Sequence, residues 1–492
     1  MKLRQIPEDI LIIGSGVGGL TAGIILSKLN HRVTVVERNP KPGGLMRSYL
    51  RSGIDCPVGV HYMGSLDEGQ PLRRLWDYLG VTPFIPLERM GAEGVIDRYI
   101  FDDFTFDLPE GIDAFEDNLR RYCPLDHNQI TAIMNDLRQI SRSLFSLEIM
   151  KSSELPFFSP ESFDSMGKYL LRMGSSSRLL SVLGVPSTLI GMSLRECPIY
   201  YYHMTLASYL FSSWRLACRG SHMAEAFVTR LMSLGGDIAT GDCVEKILVE
   251  SGKIKGVILQ SGRVIEASAV IAAIHPSTVA AMLPGDALRP AYAERIAQLE
   301  NTKGIFCVNL AVDAEAHETL PHNIYRLYQE EDGTLIRGTF HQLRDSGQSG
   351  TNILTMMTTS GIEEWSKWEG TTSGHRGQEY VETKEEKARL FTSEASKIFG
   401  YLNGMKILDI YTPLTIRDMV NSPEGSAYGI LRSTRQLMKT ASLKRTSIEG
   451  LFLAGQSSVA PGIMGTMLGS FHTVRQIIGH ERFSREVMES FT

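Results

Sequence analysis

Near its start the chain carries an unbroken apolar run, ILIIG at 10–14. A run without polar alternation predicts a strand covered on both faces, as in a parallel sheet. Leu20, Ile24 and Leu29 then fall near helical spacing, so a helix is expected over 18–29. RVTVVE at 32–37 predicts a second strand, which completes a βαβ unit. Between about 77 and 219 the pattern changes to several helical stretches, many aromatics and breaks such as PFFSPESF at 156–163. From 220 the chain reads as α/β again. SHMAEAFVTRLMSLGG predicts a helix stopped by a glycine pair, and short alternating strands follow over 238–265. SAVIAAI at 268–274 predicts a buried strand. IFCVNLAV and NILTMMTT are strand candidates in the mixed region that follows. The final segment, GLFLAGQSSVAPGIMGTMLGS, returns to strand, glycine-rich loop and helix.

Composition narrows the class. A chain of 492 residues exceeds one compact core, so two or more domains are expected. With 43% hydrophobic and 21% charged residues it reads as a soluble globular protein. A net charge of -5 argues against a nucleic-acid partner, which needs a basic field. The charge run at 382–389 alternates in sign and reads as a solvated helix face. Cys56, Cys123, Cys197, Cys218, Cys243 and Cys307 form no CxxC pair, so no metal site is expected, and the usage fits a reducing compartment. The first ten residues carry no apolar signal core, and glycines interrupt the apolar stretch at 10–29. A cytoplasmic protein is expected, with peripheral membrane contact as the alternative. MGKYLLRMGSSSRLLSVLG at 166–184 is basic and weakly amphipathic: either a surface helix or one that dips into a membrane to collect a lipid.

The chemistry begins at GSGVGGLTAG, where Gly14, Gly16 and Gly19 match GxGxxG. Gly14 permits the turn after the strand, Gly16 lets backbone approach a pyrophosphate, and Gly19 lets helix pack on strand. The helix N-terminus offers free N–H groups to phosphate. Glu37 ends the next strand, where a carboxylate accepts ribose hydroxyls. ERNPKPGG follows, and Gly43–Gly44 reads as a second close backbone approach. The C-terminal strand ends at Gly455 and Gln456, and a helix opens at Gly462. Its N–H groups suit a flavin carbonyl. A nicotinamide enzyme does not need this third piece, so the cofactor expected is FAD. The fold expected is α/β: a discontinuous Rossmann-type, amine-oxidase-like FAD-binding domain from 1–75, 220–290 and 440–492. A mixed α+β substrate domain is expected from 76–219 and 291–439.

These residues resemble the phytoene desaturase, carotenoid isomerase and retinol saturase group of flavoproteins. Three further patches carry the resemblance: VGVHYMG at 58–64, YTPLTIRDMVNSPEGSAYGI at 411–430, and GLFLAGQ with PGIMG near the C-terminus. The resemblance implies noncovalent FAD and an apolar polyene or isoprenoid substrate. It implies desaturation or saturation of a carbon–carbon double bond, or its redox-neutral cis–trans isomerisation on reduced FAD. It carries over Gly14, Gly16, Gly19, Glu37, Arg38, Gly43, Gly44, Gly59, Gly455, Gln456 and Met464 as cofactor contacts, with Val244 at the adenine. Their neighbours Ser15, Gly18, Leu45, Val60 and Ile463 are expected to join them. Pro57 and Ser457 stand where the family often has acids, which fits a redox-neutral isomerase. An amine oxidase shares the fold, but the HYMG and TPLT patches point elsewhere. From another class, a prenyl-lipid binding module resembling the GDP-dissociation inhibitors would need neither the intact glycines nor Glu37.

His61 is the leading catalytic candidate, as an acid or base titrating near neutral pH, with a flavin-supporting role as the alternative. Tyr62 is the second candidate. His203 reads as a satisfied core histidine, and Arg417 as a salt-bridge residue rather than an anion contact. Tyr200, Tyr201, Tyr202, Tyr209, Phe211 and Trp214 either line an apolar slot for a polyene or belong to the core.

Overall fold

The structure is a computed structural model that describes residues 7–91, 93–151, 164–217, 219–402, 404–443 and 446–491. Five parallel strands form its first sheet, in the order Asp237–Thr240, Arg32–Glu37, Asp9–Ile13, Ala269–Ala272, Leu451–Leu453. Ile10, Leu11, Ile12, Val270 and Ile271 are buried, as continuous apolar runs in a doubly covered sheet require. Each such side chain contributes about 1.5–3 kcal/mol of burial free energy. The helix Val17–Lys28 covers one face, with Gly220–Ser233 and Gly462–Ile478 beside it. The other face carries a three-stranded antiparallel sheet that begins at Val244–Glu250. The carboxyl ends of the parallel strands gather Gly14, Glu37 and Gly455 at one edge, where open α/β sheets bind ligands.

The second sheet has seven strands: Lys406–Tyr411, Gly304–Asp313, Thr351–Ser360, Leu335–Gln348, Asn323–Gln329, Asp97–Ile100 and Thr105–Leu108. Only Asn323–Gln329 and Asp97–Ile100 pair in parallel. Strand alternation sorts its two faces. Met356 packs with Phe306, Trp365 and Phe391 under the helix Gln378–Phe399, while its neighbour Met357 faces the chamber described below. The helices Ser177–Thr188 and Ile199–Phe211 form the opposite wall of that chamber.

Several expectations change here. Residues 166–184 are not one amphipathic helix but parts of two, Met166–Arg172 and Ser177–Thr188. Gly174 turns the chain with a φ of +69°. Ser176 then caps the second helix by accepting from the Leu179 N–H at 3.2 Å, and is itself held by Asp126. Leu179 to Ser187 are buried in that helix, so it is a structural wall. His203 is buried but not satisfied: neither ring nitrogen has a hydrogen-bond partner, and burial lowers its pKa to about 3. The PFFSPESF segment lies outside the described residues. No helix among the described residues is long and apolar enough to cross a membrane.

Candidate active site

The first glycine turn and the strand after it lock together through Glu37. Its buried carboxylate accepts from the Ser15 N–H at 3.1 Å and hydroxyl at 2.6 Å, and from the Asn39 N–H at 2.8 Å and amide at 2.9 Å. Those four donors match the lone pairs a carboxylate offers, so a ribose hydroxyl competes with the two side-chain donors. The second turn docks on the first. Gly43 N–H donates to Ser15 Oγ at 3.1 Å, and a Cβ on Gly44 would stand 3.0 Å from Gly16 Cα. Gly43 has a φ of +118°, and a Cβ there would strike Ala224 at 2.4 Å. A Cβ on Gly18 would lie 2.6 Å from Gly455 Cα, so the N- and C-terminal motifs meet through bare backbone. Leu45 packs against Gly59, and the turn at Gly241–Asp242, just before Val244, bonds to the backbone of Asn39 and Glu37. Arg38 instead donates to the Asp418 carbonyl.

Two observations test this edge as a dinucleotide cradle, and both fit. A Cβ on Gly16 would meet no protein atom within 4 Å, and its φ of -63° suits any residue. The protein itself therefore has no need of glycine there, whereas a ligand at the backbone does. No side chain caps the helix that starts at Val17, and its first turn holds no acid, which leaves its N–H groups for an anion.

Beyond this edge lies a chamber of about 810 Å³, within the range of small-molecule sites. Gly59, Val60, His61, Tyr62, Ile463 and Met464 line one end, beside the uncapped start of the helix Gly462–Ile478. Aromatic rings wall it: Tyr62 lies 4.8 Å from Tyr209 and stacks 6.2 Å from Phe340, centroid to centroid. The aromatic stretch thus divides, with Tyr201 and Tyr209 on the chamber and Tyr202 in the core. Ion pairs rim the chamber, Arg195 with Asp332 and Arg435 with Glu196 and Glu300. Tyr428 also lines it, whereas Arg417 pairs with Asp418 at 2.8 Å away from it.

His61 does not behave as the near-neutral acid or base expected of it. It opens partly onto the chamber, yet desolvation and the nearby Arg344 charge lower its pKa to about 3. It is a neutral imidazole throughout the physiological range, with Nδ1 unpartnered. We expect its ring to show no titration between pH 5 and 8 by NMR of ring-labelled protein, assigned by loss of the signal in His61→Gln. A His61 midpoint near 6.5 would contradict the burial argument.

Tyr62 instead heads a polar network that the sequence did not disclose. Its hydroxyl lies 3.0 Å from Asp97 Oδ2 and 2.9 Å from the Tyr325 hydroxyl. Asn323 donates to Asp97 Oδ1 at 2.8 Å, and Gln342 donates to Asn323 Oδ1 at 3.0 Å and to the His61 carbonyl at 3.2 Å. Burial raises the Asp97 pKa to about 7, against the lowering effect of its bonds from Asn323 and Tyr62. Burial, then the Asp97 charge, also raises Tyr62 well above the usual phenol range. One signal was available: Asp97 shares strand parity with buried Tyr99, an acid on an inward face.

Comparison with known proteins follows from this geometry. Residues 17–473 match the family model described as flavin containing amine oxidoreductase. The chain is 24% identical to the all-trans-retinol 13,14-reductase of Macaca fascicularis, over 98% of this chain and 87% of that one. It is also 24% identical to the chloroplastic prolycopene isomerase of Arabidopsis thaliana, over 97% and 84%. Among solved structures, cyclohexylamine oxidase from Brevibacterium oxydans superposes with a TM-score of 0.62 at 16% identity, covering 98% of this chain and all of that one. That last likeness is one of fold.

Proposed function

The chain belongs to the flavin-containing amine oxidoreductase family, and within it we propose an FAD-dependent enzyme that adds hydrogen across a carbon–carbon double bond of a hydrophobic polyene or isoprenoid, or removes hydrogen to form one. FAD is its cofactor. The observation that carries the reading is the aromatic-walled chamber that joins the uncapped helix start at Gly462 to the Tyr62 hydroxyl. Relatives named for a retinoid reductase and a carotenoid isomerase support the substrate class. We assign the cofactor to residues 1–75, 220–290 and 440–492, whose strands together make the parallel sheet, and the substrate to the remainder. Gly14, Ser15, Gly16, Gly18, Gly19, Glu37, Arg38, Gly43, Gly44, Leu45 and Val244 then hold the dinucleotide, and Gly59, Val60, Gly455, Gln456, Ile463 and Met464 the flavin end.

Bound FAD supplies hydride transfer. The chain's own part is to orient the polyene between Tyr62, Tyr209 and Phe340, exclude water, and move a proton at the Tyr62 hydroxyl. Neutral His61 shapes the site without changing charge. Buried Ser457, where related chains often carry an acid, favours redox-neutral isomerisation as the second reading.

The purified protein is expected to show an oxidised-flavin spectrum that dithionite bleaches. Offered all-trans-retinol and prolycopene, it is expected to change one of them. A gain or loss of two hydrogens by mass spectrometry marks the redox reaction, and a shifted absorption at unchanged mass marks the isomerase. A protein that stays colourless after incubation with FAD and turns over neither compound would overturn the reading and favour a lipid-binding module.

A further inference from the structure

Four carboxylates are buried among the described residues, and three have the partners of a permanent anion. Glu37 accepts from the Ser15 and Asn39 N–H groups, Asp55 from the Ser48 hydroxyl and the Gly220 N–H, and Asp126 from the Ser176 N–H and hydroxyl. Asp97 differs. It is 1% exposed, and both its donors are side chains, the Asn323 amide at Oδ1 and the Tyr62 hydroxyl at Oδ2, whereas each of the other three accepts from a backbone N–H. No cation lies within ion-pair distance of it among the described residues. The ionisable groups that face it are all phenols: Tyr62, Tyr99, Tyr209 and Tyr325. A buried carboxyl so placed is pushed toward its neutral form, so that both forms are populated near neutral pH.

The surrounding amides fix where its proton sits. Gln342 Nε2 occupies Asn323 Oδ1, so Asn323 presents its NH₂ to Asp97 Oδ1. Oδ1 is thereby an acceptor. Oδ2 accepts from the Tyr62 hydroxyl at 3.0 Å when Asp97 is ionised; in the neutral acid the hydrogen sits on Oδ2, this bond reverses, and the Tyr62 O–H turns to the Tyr325 oxygen at 2.9 Å. Both Tyr62 and Tyr325 open onto the chamber; Asp97 does not.

We propose that Asp97 is the proton store of the chamber, a positioning acid that works through Tyr62. This rests on the redox reading above. In the reducing direction the Tyr62 O–H bond breaks as a C–H bond forms on one carbon. Asp97 Oδ2–H then passes its proton to the Tyr62 oxygen and is left as the carboxylate. Reduced flavin, when bound, would supply the hydride for the other carbon, and solvent entering the chamber returns a proton to Asp97 through Tyr62 once product leaves. In the oxidising direction Asp97 starts as the carboxylate and takes the proton back through Tyr62, with oxidised flavin as the hydride acceptor. A phenol alone is a poor acid in this setting. Drawing on a neutral carboxyl behind it supplies the matched acidity that proton transfer near neutral pH requires.

Infrared difference spectroscopy of the flavin-loaded protein across pH tests the store without substrate. A protonated-carboxyl band is expected to vanish with a midpoint near pH 7, and to be missing in Asp97→Asn. In turnover, Asp97→Asn is expected to lose about 100-fold or more in rate together with the break near neutral pH, and Asp97→Glu to regain part of both with a displaced break. Tyr62→Phe keeps the infrared band while losing rate. No such band in the parent, or a pH break unchanged in Asp97→Asn, overturns the proposal. If the parent turns over no polyene, the redox reading fails while the infrared titration still decides the state of Asp97. If Asp97→Asn does not fold, the parent and Asp97→Glu spectra decide it.

Discussion

A Gly16→Ala chain is expected to fold and melt like its parent and yet emerge from purification nearly colourless. The added methyl meets no protein atom within 4 Å, and the backbone at Gly16 is already in a conformation any residue adopts. Under the proposed cofactor assignment it meets instead a phosphate drawn to the uncapped helix start. Crowding of that kind costs about 1–3 kcal/mol, which is roughly a 5- to 150-fold loss of FAD affinity. Gly19→Ala makes the contrast. Its Cβ would stand 2.0 Å from the Gly14 carbonyl and 3.3 Å from the Ala273 methyl, so helix and strand must separate. That chain is expected to lose melting temperature as well as flavin. Circular-dichroism melts of the apo-proteins and FAD titrations by flavin fluorescence separate the two cases. If Gly16→Ala binds FAD as tightly as its parent, the cradle is not where the phosphates lie.

That contrast shows why some of the molecule was legible from sequence and some was not. The strand–glycine turn–helix at 9–28 is local: adjacent apolar residues make the strand, and glycines at fixed spacing make the turn. Its covering by residues 451–478 was also readable, because that segment repeats the same logic. Tyr62, Asp97 and Tyr325 were not readable as a group. They come from three places in the chain, and a parallel strand pair sets Asn323 beside Asp97. Nothing in the local pattern announces such a pairing. The charge state of His61 went astray for a related reason. Composition assigns histidine a near-neutral pKa, but the value depends on desolvation by residues as remote as Phe340 and on the charge of Arg344. Residues 166–184 misled through periodicity: the apolar spacing is real, but the positive φ at Gly174 and the Ser176 cap restart the helix.

Tyr62→Phe is the substitution expected to remove most activity at least cost to the fold. The ring keeps its contacts with Tyr209 and Phe340, so the chamber wall persists. Asp97 Oδ2 and the Tyr325 hydroxyl each lose a partner, a cost of about 1–3 kcal/mol in stability. FAD affinity should be unchanged, because the hydroxyl bonds to Asp97 and Tyr325 and not to the glycine cradle. Loss of a positioned proton donor typically costs 10²- to 10⁴-fold in rate. A reaction that places a proton on carbon must therefore slow by about that factor in this variant, as measured by single-turnover oxidation of reduced flavin in the presence of polyene. A redox-neutral isomerisation that proceeds without proton transfer to carbon would be left within a few-fold of the parent. His61→Gln is the matching control. Its imidazole is neutral and its ring contact is with Phe340, so it should lower the rate without moving any pH break. If Tyr62→Phe is silent while His61→Gln abolishes turnover, the proton moves at the imidazole. The low basicity of His61 would then have to rise when FAD and polyene fill the chamber.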